Sequence, residues 1–258
     1  LYYCYIIKNK YILGKLMLID ILTLFPTFYE SPISIGIINN AIKNKKINLN
    51  IVNMRDFGEG NYKRCDDYPY GGGPGMIMTY NIFKKYFENN NKGYTIIFSP
   101  SGKVLNQKKI KEFYKKKHIT MILGHYEGID YRVEKKYADE TISVGDYVLS
   151  GGEIPALLLI DAIARYKDTL NNKESVYNDT FEENSAGLLE YSQYTRPEKI
   201  DDMEVPNILM SGNHKNIEEY RRMSGLIKTF KNRADMFSNI KLSKKDLNVI
   251  FDYLINKE

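Results

Sequence analysis

The chain has 258 residues, 43% of them hydrophobic, and 37 lysines and arginines against 32 carboxylates give a net charge of +5. That length holds one or two soluble domains, and so mild a positive balance neither demands nor excludes a nucleic-acid partner. Two distant cysteines, Cys4 and Cys65, argue against a disulfide framework or a cysteine zinc site and fit a reducing cytoplasm. No apolar run approaches the roughly 18 residues of a membrane helix, and 1–15 lacks a small-residue cleavage pattern, so neither insertion nor export is expected.

In chain order, a strand is predicted over 18–25, closed by Pro26, and then a helix with Ile33, Ile37, Ile38, Ala41 and Ile42 on one face. A second strand is read at 49–54. The polar, glycine-rich stretch 55–75 is too long for a simple connection, and loops of that kind are functional or disordered. A helix at 81–88, a strand at 94–99, a helix at 107–116 and a strand at 119–124 then alternate, which is an α/β pattern. A strand at 140–145 leads through Gly151 and Gly152 into an apolar helix over 155–166, begun by Pro155 in the first turn. The polar segment 167–183 is a candidate interdomain linker. Beyond it, 213–258 reads as helical, with Ile217, Tyr220, Leu226 and Ile227 on one helix and Leu247, Ile250, Phe251 and Leu254 on another begun by Ser243. Ten lysines and arginines against six carboxylates put most of the net positive charge there.

The motif GGGPG at 71–75 contains the glycine spacing of dinucleotide folds, but CDDYPY precedes it where a buried strand is required. No P-loop is present, and His118, His125 and His214 lack metal-ligand spacing, so no metal site is expected from the residues. Three glycine-bearing loops, 99–102, 124–128 and 144–152, each follow an apolar strand. Loops at the carboxyl ends of parallel strands converge on one sheet edge, so together they outline a ligand pocket.

GHYEGID (124–130), SVGDYVLSGGEIPA (143–156), DDYPYGGGPGM (66–76), GLLEYSQYTRPE (187–198) and LMSGNHKNIEEYRR (209–222) occur in one collinear order. With these motifs the chain resembles the bacterial tRNA (guanine-37-N1)-methyltransferases, from about Met17 nearly to the C-terminus. The resemblance implies a SPOUT-type α/β domain whose parallel sheet carries a deep trefoil knot, plus a small C-terminal helical domain. It also implies a homodimer and S-adenosylmethionine as methyl donor. The corresponding boundaries are a tail at 1–16, a donor-binding domain at 17–166, a linker at 167–183 and a tRNA-binding domain at 184–258. Donor contacts carried over by position are Ile97, Phe98, Ser99, Pro100 and Gly102 in the first loop, and Gly124, Tyr126, Glu127 and Gly128 in the second. From the third come Val144, Gly145, Asp146, Tyr147, Val148, Leu149, Gly151 and Gly152, followed by Pro155. Glycine suits this use because adenine and ribose edges pair with main-chain groups only where no side chain intervenes.

Guanine N1 carries a proton, so it becomes nucleophilic only when a base removes that proton while negative charge builds on O6. The resemblance assigns the base to Asp179 and the O6-stabilising cation to Arg165. Asp179 in an apparently mobile linker implies order on tRNA binding, with the linker of one subunit covering the pocket of the other. Glu190, Ser211, Asn213, His214, Arg55 and Asp66 are the implied tRNA-binding residues. Asn213 and His214 equally suit the start of a helix. The terminal basic residues would hold phosphates. Mg²⁺ assistance is implied by the family, without a ligand cluster to locate it.

Departures from the family pattern are Tyr62 for histidine, Ser101 for glutamine, Tyr131 for a polar residue and Ser192 for proline, with one residue fewer between Arg165 and Asp179. These leave base, arginine and donor glycines in place, so altered affinity rather than lost chemistry is expected. The segment before Met17 has no family counterpart and is expected to be a disordered tail or upstream translated sequence. The competing functions are a knotted methyltransferase of another RNA site, such as a ribose hydroxyl or an rRNA base, and a non-catalytic RNA-binding module.

Overall fold

The structure, a computed structural model, describes residues 16–168, 179–182 and 185–255, in two compact units, Leu1–Asn171 and Asn172–Glu258. The expected N-terminal tail falls outside the described residues except for Leu16, and so does most of the expected linker.

The first unit is built on five strands: β1 (Met17–Thr23), β2 (Ile47–Asn53), β3 (Tyr94–Val104), β4 (His118–Ile122) and β5 (Glu140–Ser143). They form one parallel sheet in the order β2-β1-β4-β3-β5. Helices α1 (Gly36–Lys43), α2 (Tyr80–Asn89), α3 (Gln107–Tyr114), α4 (Tyr131–Tyr137) and α5 (Glu153–Asp168) cover it. Alternate residues of β1 explain the layering. Ile19 and Ile21 point into a core with Ile38 and Ala41 of α1, Phe113 of α3 and Leu159 and Ile163 of α5, whereas Leu22 joins Phe83 and Tyr86 of α2 and Val133 of α4. Both faces are thus buried, which is why the strands read as nearly continuous apolar runs.

Three local features differ from the sequence reading. Helix α5 starts at Glu153, two residues before Pro155, because the Ala156 amide already donates to the Gly152 carbonyl at 3.0 Å. Helix α4 was not expected: it is short, and its start is set by the Asp130 carboxylate, which accepts from the Arg132 amide at 2.9 Å. Strand β3 continues past the expected end at residue 99. Phe98 and Lys103 both pair with Ile142, so 99–102 is looped out of the ladder between them.

The glycine-rich stretch is ordered. Asp66 and Asp67 pair antiparallel with Met78 and Ile77, Arg64 bridges Asp67 at 3.0 Å, and the Glu127 amide donates to the Met76 carbonyl at 3.0 Å.

The second unit contains α6 (Asn207–Met210), α7 (His214–Asn232), α8 (Ala234–Phe237) and α9 (Lys244–Ile255). Its core is small: Leu188, Leu226 and Ile250 are buried, with Phe230, Phe237 and Ile240 packed against them. Asp246 carries much of its order. Its carboxylate accepts from Arg222 at 3.1 and 2.9 Å and from the Ser243 amide and hydroxyl, while the Ser243 hydroxyl accepts from the Asp246 amide, a reciprocal cap at the start of α9.

Candidate active site

At the carboxyl ends of β3, β4 and β5 lies a cavity of about 410 Å³, within the range of small-molecule sites. Its lining is drawn from the three looped segments. Ile97 to Pro100, Gly124 and Tyr126 to Gly128, Val144, Gly145, Tyr147 to Leu149, Gly151, Gly152 and Pro155 all face it. Gly102 and Asp146 do not. A Cβ at Gly102 would stand 2.5 Å from the Ile142 amide nitrogen, so this glycine serves close packing of β3 on β5, and Asp146 is exposed. The lining also includes His125 and Ser150, which lie within the predicted loops, and Ile129, Glu134, Ile142 and Ser143, which the sequence reading did not single out.

The second and third segments are tied to one another by main chain. Gly152 donates to the Gly124 carbonyl at 3.0 Å, His125 and Gly151 form an isolated antiparallel bridge, and a Cβ on Gly152 would lie 2.9 Å from the Leu123 Cα. A side chain there would push the turn at 152 off the end of β4. Tyr126 holds a left-handed backbone, φ 59°, unusual for a bulky residue and placed on the cavity wall. Its hydroxyl reaches Arg55 and Asp66. Burial first, then the Asp66 carboxylate, push its proton affinity up, and the Arg55 guanidinium partly offsets this. Two residues predicted to contact substrate, Arg55 and Asp66, thus adjoin the wall through Tyr126. Ser101, one of the departures from the family pattern, shares a hydrogen bond of 2.9 Å with the Ser99 hydroxyl.

The remaining predicted residues lie elsewhere. Arg165 is exposed in the last turns of α5, and at 1.5 Å per residue it stands about 18 Å along the axis from the start of that helix beside the cavity. Asp179 belongs to the second unit. There the Glu190 amide donates to the Thr180 hydroxyl at 3.0 Å, which joins the segments bearing Asp179 and Glu190, and the Glu190 carboxylate accepts from the Gln193 side chain. Ser211, Asn213 and His214 form an exposed turn at the start of α7, where the Asn213 side chain accepts from the Asn216 amide at 3.3 Å. The capping use of Asn213 is therefore present.

Residues 17–239 match the family described as tRNA (Guanine-1)-methyltransferase TrmD. The chain belongs to this family. Methyl transfer is accordingly its class of chemistry. Relatives named tRNA (guanine-N(1)-)-methyltransferase include a protein of Thermosipho melanesiensis, 44% identical over 92% of this chain and 96% of its own length. One from Fervidobacterium nodosum is 44% identical over 93% and 98% respectively. One from Enterococcus faecalis is 42% identical over 91% and 96%.

Among the described residues, no group of three or more His, Cys, Asp or Glu side chains is placed to hold a metal ion. The described residues therefore offer no cluster that fits the Mg²⁺ the resemblance implied. No helix among the described residues is long and apolar enough to cross a membrane.

Proposed function

We propose that this methyltransferase transfers the methyl group of S-adenosylmethionine to N1 of guanosine 37 in tRNA, in a homodimer whose donor pocket is the cavity at the ends of β3, β4 and β5. The observation that carries the reading is that three glycine-bearing loops line one cavity in a chain of this family. The close approach of Gly152 to Leu123 and Gly124 supports the trefoil knot of this reading. Ile97 to Pro100, Gly124 to Gly128 and Val144 to Gly152 would hold the donor, chiefly by main chain at the glycines. When bound, the donor supplies a sulfonium-activated methyl group.

The protein's remaining task is to prepare and aim N1. Asp179 accepts the N1 proton, and Arg165 stabilises the charge that grows on O6. The cavity walls exclude water and fix the line between methyl carbon and N1. No covalent enzyme intermediate is required. With its backbone about 15 Å along α5 from Pro155 in the cavity wall, at the far end of the helix, Arg165 is better placed to serve a neighbouring cavity, so the reading takes Arg165 and Asp179 from a second copy. An apolar groove of about 520 Å³ favours the same partner. Ile35, Ile154 and Leu158, all exposed, border it on α1 and α5, and a self-complementary contact there would set two copies of α5 side by side. The exposed turn 211–214 and the basic helices of the second unit would hold the tRNA backbone, with Glu190, Arg55 and Asp66 near the guanine.

Labelled donor, the purified protein and a tRNA with guanosine at positions 36 and 37 test this reading. Incorporation that maps to N1 of residue 37, and vanishes when that residue is adenosine, is the expected result. Methylation elsewhere, or none, overturns it.

A further inference from the structure

Glu153 is a buried carboxylate, its side chain 9% exposed, that opens α5 directly behind the cavity wall and has no part in the chemistry above. One oxygen accepts from the Thr23 hydroxyl at the end of β1, 2.9 Å away, and the Glu153 carbonyl accepts from the Tyr29 hydroxyl at 3.1 Å. The other oxygen faces Nδ1 of His125 at 3.8 Å, an ion-pair separation too long for a hydrogen bond. That nitrogen is buried and has no hydrogen-bond partner among the described residues.

The His125 side chain is fixed on its other sides. Its ring lies 4.7 Å from Phe25 and 5.4 Å from Tyr126, centroid to centroid, and the residue lines the cavity. A Cβ on Gly151 would occupy the space now held by the Glu153 carboxylate and His125 Nδ1. The strand β1, the wall 124–128 and the turn at 151 thus converge on one carboxylate. A buried charge is costly unless hydrogen bonds and a counter-charge compensate it. The start of a sixteen-residue helix and Thr23 compensate part of that cost, and His125 Nδ1 faces the remaining oxygen at ion-pair distance.

We infer that Glu153 is a positioning residue for the donor: through Thr23 and His125 it holds the wall 124–128 against the turn at Gly151 in the shape that binds S-adenosylmethionine. The inference rests on the cavity being the donor site. Loss of Glu153 therefore weakens donor binding and leaves the methyl-transfer step at saturation nearly intact.

Calorimetric titration of the full-length dimer with S-adenosylhomocysteine, beside steady-state kinetics, tests it. Glu153→Gln, which keeps an acceptor for Thr23, weakens binding by about tenfold while kcat at saturating donor stays within about threefold, and His125→Ala, which alters the wall itself, weakens binding at least as much. Because both act through one contact, the double variant binds no more than about threefold worse than the weaker single. Wild-type affinity in folded Glu153→Gln, losses that multiply in the double variant, or a fall in kcat at unchanged affinity overturns the inference. If Glu153→Gln does not fold, Glu153→Asp, whose shorter side chain withdraws the carboxylate from Thr23 and His125, decides, and wild-type affinity there overturns it. Ser99→Trp, which fills the cavity, separates the two failures. Donor binding that survives Ser99→Trp removes the donor-site reading itself. Binding that Ser99→Trp abolishes and Glu153→Gln leaves unchanged removes only the role of Glu153.

Discussion

The two units build their functional groups in opposite ways. The cavity of the first unit is walled by main chain and glycines, backed by a continuous core on both faces of a five-stranded sheet, and so is set by close packing. In the second unit, the groups assigned to tRNA are exposed side chains on a core of three buried apolar residues among those described, held by a capped ion pair between α7 and α9. Precise placement of a small donor calls for the first kind of site. Accommodation of a large, charged and bendable substrate is served by the second.

Substitutions divide along the same line. The largest effect is expected at Asp179, the proposed base: Asp179→Ala lowers kcat by about 10²- to 10⁴-fold, the usual weight of general-base catalysis, with donor affinity unchanged by calorimetry. A smaller effect on activity but a clear one on stability is expected at Gly102. An added methyl there meets the backbone of Thr141 and Ile142, so Gly102→Ala costs about 1–3 kcal/mol in denaturant unfolding and weakens the donor as β3 shifts from β5.

In the second unit, the Arg222 guanidinium holds the Asp246 carboxyl down to about 2, against a burial cost that opposes it. A carboxyl depressed on folding stabilises the folded state above its ordinary value near 4, and that contribution is lost as pH falls toward 2. Asp246→Asn therefore removes about 1–3 kcal/mol from the second unit at neutral pH and flattens its acid dependence below about 4, while amides of β1 and β4 keep their hydrogen-exchange protection. Protection lost equally in both units would show that they unfold together and dissolve the contrast. The smallest effect is expected at a single basic residue: Lys215→Ala reduces the salt dependence of tRNA binding by about one in the log–log slope and leaves donor affinity alone.

Much of the first unit was legible in the sequence because strands buried on both sides and helices with one apolar face carry opposite periodicities, as 18–25 and 33–42 show. The three loops were legible for the same reason, each lying at the carboxyl end of such a strand. What escaped notice depends on contacts distant in sequence. Helix α4 rests on one Asp130 cap, the continuation of β3 beyond residue 99 on pairing with Ile142, and the packing use of Gly102 on the nearness of β5. His125 was weighed for metal-ligand spacing and as part of the loop 124–128, while its neighbour Glu153 lies 28 positions away and meets it only in the fold. A glutamate just after two glycines, ahead of the apolar run 154–160, was the available signal.

The central claim, that one copy supplies the donor cavity and the other the base, is tested by a mixed dimer of Asp179→Ala and Ser99→Trp subunits. The two are co-expressed with different tags and purified through both. The account predicts that each parent dimer is inactive and that the mixed dimer, with one site complete, regains about half of wild-type turnover. A mixed dimer as inactive as its parents would place donor cavity and base in the same subunit and contradict the account.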